Sequence, residues 1–111
     1  MSAPLATDLV SFYDTHPINE REILAKAEAA GASLENLTQA DLAAFDRDHY
    51  GGADALEQLA DAVGIESQHH VLDVCSGMGG PARWLASTRG CHVTGLDLTL
   101  SRVEGAARLA Q

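Results

Sequence analysis

Cysteine is almost absent from this chain: Cys75 and Cys91 are its two examples. They fall at opposite ends of two neighbouring predicted strands, too far apart to bridge, so no disulfide is expected. Long apolar runs are missing as well. With no stretch of eighteen apolar residues and no basic-then-apolar N-terminus, the sequence predicts neither a membrane span nor secretion, and the expected compartment is the cytoplasm. No group of Cys, His and carboxylates stands at metal-ligand spacing. His69 and His70 read as a solvated lead-in to a strand, and no metal is expected. Bases are scarce too, with seven Lys and Arg against sixteen Asp and Glu and a formal net charge of -9. Such a surface repels phosphate backbones, which argues against nucleic acid as a partner.

The charge is unevenly placed. Thirteen of the sixteen acids, but three of the seven bases, precede residue 70. This reads as the solvated faces of amphipathic helices, with attraction of a cationic acceptor as the other reading. A length of 111 residues suits one small domain, with fewer strands than a complete doubly wound sheet requires.

Up to residue 69 the apolar spacing is helical. Asn19 caps a predicted helix through Ile23, Leu24 and Ala27 that ends at Gly31. Thr38 with Asp41 forms a capping-box pattern ahead of Leu42, Ala43 and Phe45. Ala53 to Val63, with Leu56, Leu59, Ala60 and Val63 on one face, predicts another helix stopped by Gly64. The first dozen residues, with Leu9, Val10 and Phe12, suit a further short one. From His70 the pattern changes. Val71 to Val74 reads as a strand buried on both faces, Gly80 to Thr88 as a helix with Pro81 near its first position, and Val93 to Leu96 as a second buried strand. A helix follows from Leu100 or Ser101 to Gln111. The right-handed crossover places the two strands parallel and adjacent.

The turn between the first strand and its helix is rich in glycine. Gly77 and Gly79 read as the floor of a site, because a Cβ there would block both the tight turn and a ligand's approach. Taken alone, Gly77-x-Gly79-x-x-Ala82 also fits a dinucleotide fingerprint. Two neighbours separate the cofactors. Asp73 would repel a pyrophosphate but suits the ammonium and sulfonium of S-adenosylmethionine. Pro81 removes a donor that a phosphate cradle would use. Asp97 ends the second strand twenty residues after Gly77, where an acid can accept from ribose hydroxyls; capping the next helix is the alternative, although Thr99 and Ser101 are available for that. Leu98 would lie against the adenine edge or serve as a plain core residue.

Val71 to Ala86 resembles motif I of class I S-adenosylmethionine-dependent methyltransferases, and Gly95-Leu96-Asp97-Leu98-Thr99 resembles the end of their second strand. Gly79-Gly80-Pro81-Ala82-Arg83 and Phe45-Asp46-x-x-His49-x-Gly51-Gly52 are similar to the small-molecule branch that includes sarcosine/dimethylglycine, tocopherol and sterol methyltransferases. The clearest departure is Cys75, which stands where that family has its first motif glycine. The expectation is that Cys75 keeps a negative φ, at little cost, and lines the pocket.

The resemblance implies an α/β fold: a helical cap (residues 1–69) on the first β-α-β-α of a doubly wound, Rossmann-like methyltransferase sheet (residues 70–111). The chain stops inside a helical pattern and reads as truncated and inactive alone. A missing C-terminal part or a second copy in a homo-oligomer would then complete the sheet. The implied activity is methyl transfer from S-adenosylmethionine to the N, C or O atom of a small molecule. Cofactor binding falls to Asp73, Cys75, Gly77, Gly79, Asp97 and Leu98. His49 and Tyr50 either close the pocket or form a turn with a packed aromatic and a solvated histidine. No catalytic residue is assigned, since an aligned acceptor suffices. The rival classes are an NAD-binding oxidoreductase fragment and a non-catalytic scaffold.

Overall fold

The structure is a computed structural model that describes residues 2–47, 49 and 51–111, with side chains from Asp8 onward. Among the described residues eight elements follow one another: α1 (Ser2–Asp14), α2 (Glu20–Ala29), α3 (Gln39–Ala43), α4 (Gly52–Val63), β1 (His70–Val74), α5 (Gly80–Arg89), β2 (His92–Leu96) and α6 (Leu100–Leu109). Local chemistry sets most of the boundaries. Asn19 accepts from the Glu22 N–H to open α2. Thr38 and Asp41 exchange side-chain and backbone bonds in a complete capping box at α3, satisfying N–H groups that have no partner within the helix. Gly64 and Gly90 close α4 and α5 in the left-handed region, at φ 73° and 68°, where a Cβ would be strained.

β1 and β2 pair in parallel, with His70 opposite His92 and Val74 opposite Leu96. Two apolar clusters hold the elements together. Ile23, Leu42, Met78 and Leu109 join α2 and α3 to the turn after β1 and to α6. Ala60, Leu85 and Cys91, with Val71, Val93 and Trp84 against them, join α4 and α5 to one face of the strands. The first and second parts of the sequence therefore share a core.

The other strand face corrects the expectation of two-sided burial. Leu72 and Val74 are each 61 % exposed and Leu96 is 56 % exposed. Alternation in a strand sends these three to one side, and among the described residues no layer covers that side. Helix α4 shows the same effect, since Ala60 is buried while Leu59 and Val63 on the predicted apolar face are exposed. An apolar run records what can be buried, and the neighbours decide what is.

The segment between α3 and α4 is tied to α5 by a buried ion pair. Arg83 Nη2 donates to Asp46 Oδ2 at 2.9 Å, with the Asp46 side chain 1 % exposed. Arg83 Nη1 donates to the Met78 carbonyl at 2.7 Å. A Cβ on Gly80 would collide with the Asp46 carbonyl oxygen, so glycine is what allows α5 to start against Asp46. Removing one partner of such a pair strands the other charge and costs about 3 to 5 kcal/mol. Asp46→Ala is accordingly expected to lower stability by about that amount. Arg89→Ala, which breaks an exposed pair with Asp61, should cost no more than about 1 kcal/mol. Urea midpoints of the two variants check the contrast, and equal midpoints would contradict it.

Candidate functional site

Both strands end on the same side, and the turns that leave them face each other. Ser76 N donates to the Leu96 carbonyl at 3.0 Å, laying the turn after β1 across the end of β2. Gly95 permits this approach: a Cβ on it would sit 2.8 Å from Ser76 Oγ. Asp97 then locks the arrangement. Its Oδ2 accepts from Gly77 N at 2.8 Å and its Oδ1 from Thr99 N at 3.0 Å. The carboxylate thus joins the glycine turn to the start of α6, and Thr99 makes no side-chain cap there. The N-cap residue of α6 is Thr99, and Asp97 bonds to the backbone N–H of that residue from two positions before it; one lone pair on each of its oxygens is still available to a ligand.

Above this floor lies a cavity of about 420 Å³, within the size range of small-molecule sites. Cys75, Gly77, Asp97 and Leu98 all line it, so four of the six expected cofactor residues meet in one place. Leu98 is 68 % exposed, placed on the cavity wall and not in the core. The remaining two lie elsewhere. Gly79, at φ 80°, backs onto Arg83 and Ala106 and borders a separate groove of about 280 Å³ between α5, β2 and α6. Asp73 is half-buried beneath the strand ends, and its Oδ2 is a buried oxygen with no hydrogen-bond partner among the described residues. Burial pushes its carboxyl above the usual range, the Asp97 charge adds to this, and His49 opposes it. His49 therefore sits near Asp73 and is not on the cavity wall. Tyr50 lies outside the described residues.

Cys75 corrects the expected backbone. Its φ is +61°, and it is the non-glycine residue found in the left-handed region among those described. The chain must reverse there to carry Ser76 over Leu96 and Gly77 to Asp97, and that closure overrides the preference of a side-chain-bearing residue for negative φ.

The opposite wall of the cavity comes from α1 and the turn that follows it. Phe12, Tyr13 and His16 line it, with Phe12 and Tyr13 edge-to-face at 5.1 Å and Tyr13 stacked on His16 at 5.9 Å. The sequence reading missed these residues. The one available signal was a cluster of rings near the start of the chain, and nothing local connects it to a turn sixty residues later.

Comparison with known proteins returns methyltransferases. A glycine/sarcosine/dimethylglycine N-methyltransferase of Actinopolyspora halophila is 37 % identical over 65 residues, covering 50 % of this chain and 12 % of that protein. A sterol 24-C-methyltransferase of Gibberella zeae is 44 % identical over 52 residues, 47 % of this chain and 14 % of its own length. The methyltransferase GfsG of Streptomyces halstedii is 40 % identical over 48 residues, 43 % and 17 % of the two chains. The matched region thus spans less than a fifth of each relative. No family model matches the sequence, and no solved structure does.

Two predictions follow from the strained turn and the buried carboxyl. Relief of positive φ favours glycine by about 1 to 2 kcal/mol, partly offset by glycine's greater unfolded-state freedom. Cys75→Gly should therefore raise stability by up to about 1 kcal/mol in denaturant titrations, and a loss would contradict the observed φ. Asp73 has a raised pKa when folded, so the unfolded state releases its proton first. Its contribution is intact below the ordinary value of 3.8 and is lost as pH climbs through the folded value. Asp73→Asn should accordingly raise the melting temperature at pH 7, with the gain shrinking toward pH 3; a gain that grows on acidification would refute this.

Proposed function

About half of this chain is a region of the small-molecule methyltransferase kind, and from that premise we propose that it forms the S-adenosylmethionine-binding portion of such an enzyme. The observation that carries the reading is the Asp97–Gly77 bond at the foot of the cavity. It fixes a carboxylate beside a glycine backbone at the strand ends, where an α/β sheet holds its ligands. Asp97 keeps a lone pair on each oxygen for the two ribose hydroxyls. Leu98 offers an apolar edge to adenine, and Gly77 allows close backbone approach.

Asp73 fits the same reading. A buried carboxyl oxygen without a partner, pushed toward its neutral form, regains its charge at little cost when a cation comes close. The ammonium and sulfonium of S-adenosylmethionine are such cations. Bound there, that cofactor supplies an electrophilic methyl group to an aligned nucleophile. Cys75 belongs to the rim in this scheme, and Gly79 serves the packing of Arg83 and Ala106 below it. The division into a helical cap (1–69) and the first half of the cofactor domain (70–111) is part of the proposal. So are a small-molecule acceptor and a further layer of polypeptide, from a second copy or a longer chain, over Leu72, Val74 and Leu96. A cytoplasmic setting is part of the proposal as well; the two cysteines are free, in accord with a reducing compartment. Among the described residues no helix is long and apolar enough to cross a membrane.

An NAD-binding oxidoreductase is not favoured, since the matched relatives are methyltransferases and Pro81 at the start of α5 removes a phosphate-binding donor. Calorimetry should show S-adenosylhomocysteine binding and no heat from NADH. Asp97→Ala removes two hydrogen bonds to a charged group, worth roughly 1.5 to 3 kcal/mol each, and should weaken S-adenosylhomocysteine by about a hundredfold or more. An unchanged dissociation constant would remove Asp97 from the ribose role.

A further inference from the structure

We propose that His70 and His92 form a chelating pair for a divalent transition-metal ion such as Zn²⁺, at the end of the two strands away from the cavity. The residues stand far apart in sequence, and the parallel pairing of β1 with β2 sets them directly opposite each other. Alternation along the strands places both rings on the side that carries Leu72, Val74 and Leu96, and both histidines are exposed. Their ring centres lie 4.4 Å apart, with the planes inclined at 62°. Zn–N bonds of about 2.0 to 2.1 Å hold two imidazole centres on one ion about 4.5 to 5.3 Å apart, for angles at the ion between a right angle and the tetrahedral value. A small side-chain rotation brings the pair to that spacing.

One of the two rings is already oriented. His70 Nε2 is hydrogen-bonded to Thr94 Oγ1 at 2.7 Å, on the same face of β2 as His92. A hydroxyl serves a ring nitrogen as donor or as acceptor, so Thr94 can accept from Nε2–H and leave the Nδ1 lone pair for an ion, the arrangement in which metal-ligating histidines are held. The backbone beneath is fixed as well, because His92 N donates to the His69 carbonyl at 3.1 Å. The His69 ring is engaged elsewhere, its Nδ1 accepting from Glu66 N at 2.9 Å. Among the described residues no group of three or more His, Cys, Asp or Glu is placed to hold an ion, so the protein gives two ligands and water completes the shell. Imidazole nitrogen selects Zn²⁺, Ni²⁺ or Cu²⁺ over Mg²⁺ and Ca²⁺, which take oxygen. Such an ion clamps β1 to β2 at the end opposite the Ser76–Leu96 bond, and it stabilises the fold because the unfolded chain does not hold the two rings together.

The test titrates the 111-residue chain with zinc chloride and follows each imidazole by long-range proton–nitrogen NMR. His70 and His92 should shift together and saturate at one ion per chain, His70 through Nδ1, while His16, His49 and His69 stay in place and magnesium chloride moves nothing. His70→Gln and His92→Gln should each weaken zinc by about tenfold or more, and Thr94→Val by about tenfold, since even groups behind the ligands are worth roughly 10- to 100-fold in metal affinity. Zinc should raise the melting temperature of the wild type but not that of the His70→Gln/His92→Gln double variant. A response at one of the two rings alone would overturn the proposal. So would undiminished affinity in the double variant, which would put the ion elsewhere on the acidic surface, and so would an equal effect of magnesium. Unchanged affinity in Thr94→Val would remove Thr94 from the site. Both rings stand in water, so the variants should fold; if one does not, the wild-type imidazole spectrum still decides.

Discussion

Arg83 and Asp46 meet where the helical first part of the chain touches the helix that follows β1, and the pair is nearly closed off from water. Its geometry explains several neighbouring choices. The guanidinium reaches back to the Met78 carbonyl and so braces the turn that carries Gly77. Gly80 is needed because the Asp46 backbone occupies the space of a side chain. Met78, in that same turn, packs with Ile23, Leu42 and Leu109. Desolvating two charges is expensive, and an apolar substitute is often as stable. What the ion pair adds here is direction: it fixes how the segment after α3 meets α5, and with it the position of the turn that forms the cavity floor.

That floor is assembled from opposing demands. Asp97 draws Gly77 inward through a charge-assisted bond, and Cys75 accepts a left-handed backbone to make the reach possible. Strain of this type persists where the surroundings over-determine it, and it concentrates at ligand sites. The bond and the strain are therefore two sides of one arrangement, in which each holds the other in place.

Much of this was legible in the sequence because it is local. Asn19, Thr38 with Asp41, Gly64 and Gly90 each declare a helix end through groups within four residues, and each is found there. The twenty-residue spacing of Gly77 and Asp97 put them at the ends of two adjacent strands because one crossover helix fits between them; the hydrogen bond that joins them was not foreseen. What stayed hidden depends on distant neighbours. The residue type at position 75 points away from positive φ, and only closure of the turn onto β2 reverses that. Exposure of Leu72 and Val74 depends on what covers the sheet, which no alternation pattern encodes. The α1 wall lies beyond local reasoning for the same cause.

The links between α1 or α2 and α6 have a kinetic consequence. Glu20 pairs with Arg108 at 2.6 Å, and Asp14 meets Ser101, so residues 88 and 87 positions apart are joined. The β1–α5–β2 unit, by contrast, closes over about twenty residues and can form early. Bringing together the ends of a segment of almost ninety residues costs on the order of 4 kcal/mol in chain entropy, and contacts at such separation slow the search for the native state. The cavity is bounded on one side by the local unit and on the other by α1, so its two walls belong to different stages of folding, and the cavity is complete only once α1 has met α6 across almost ninety residues.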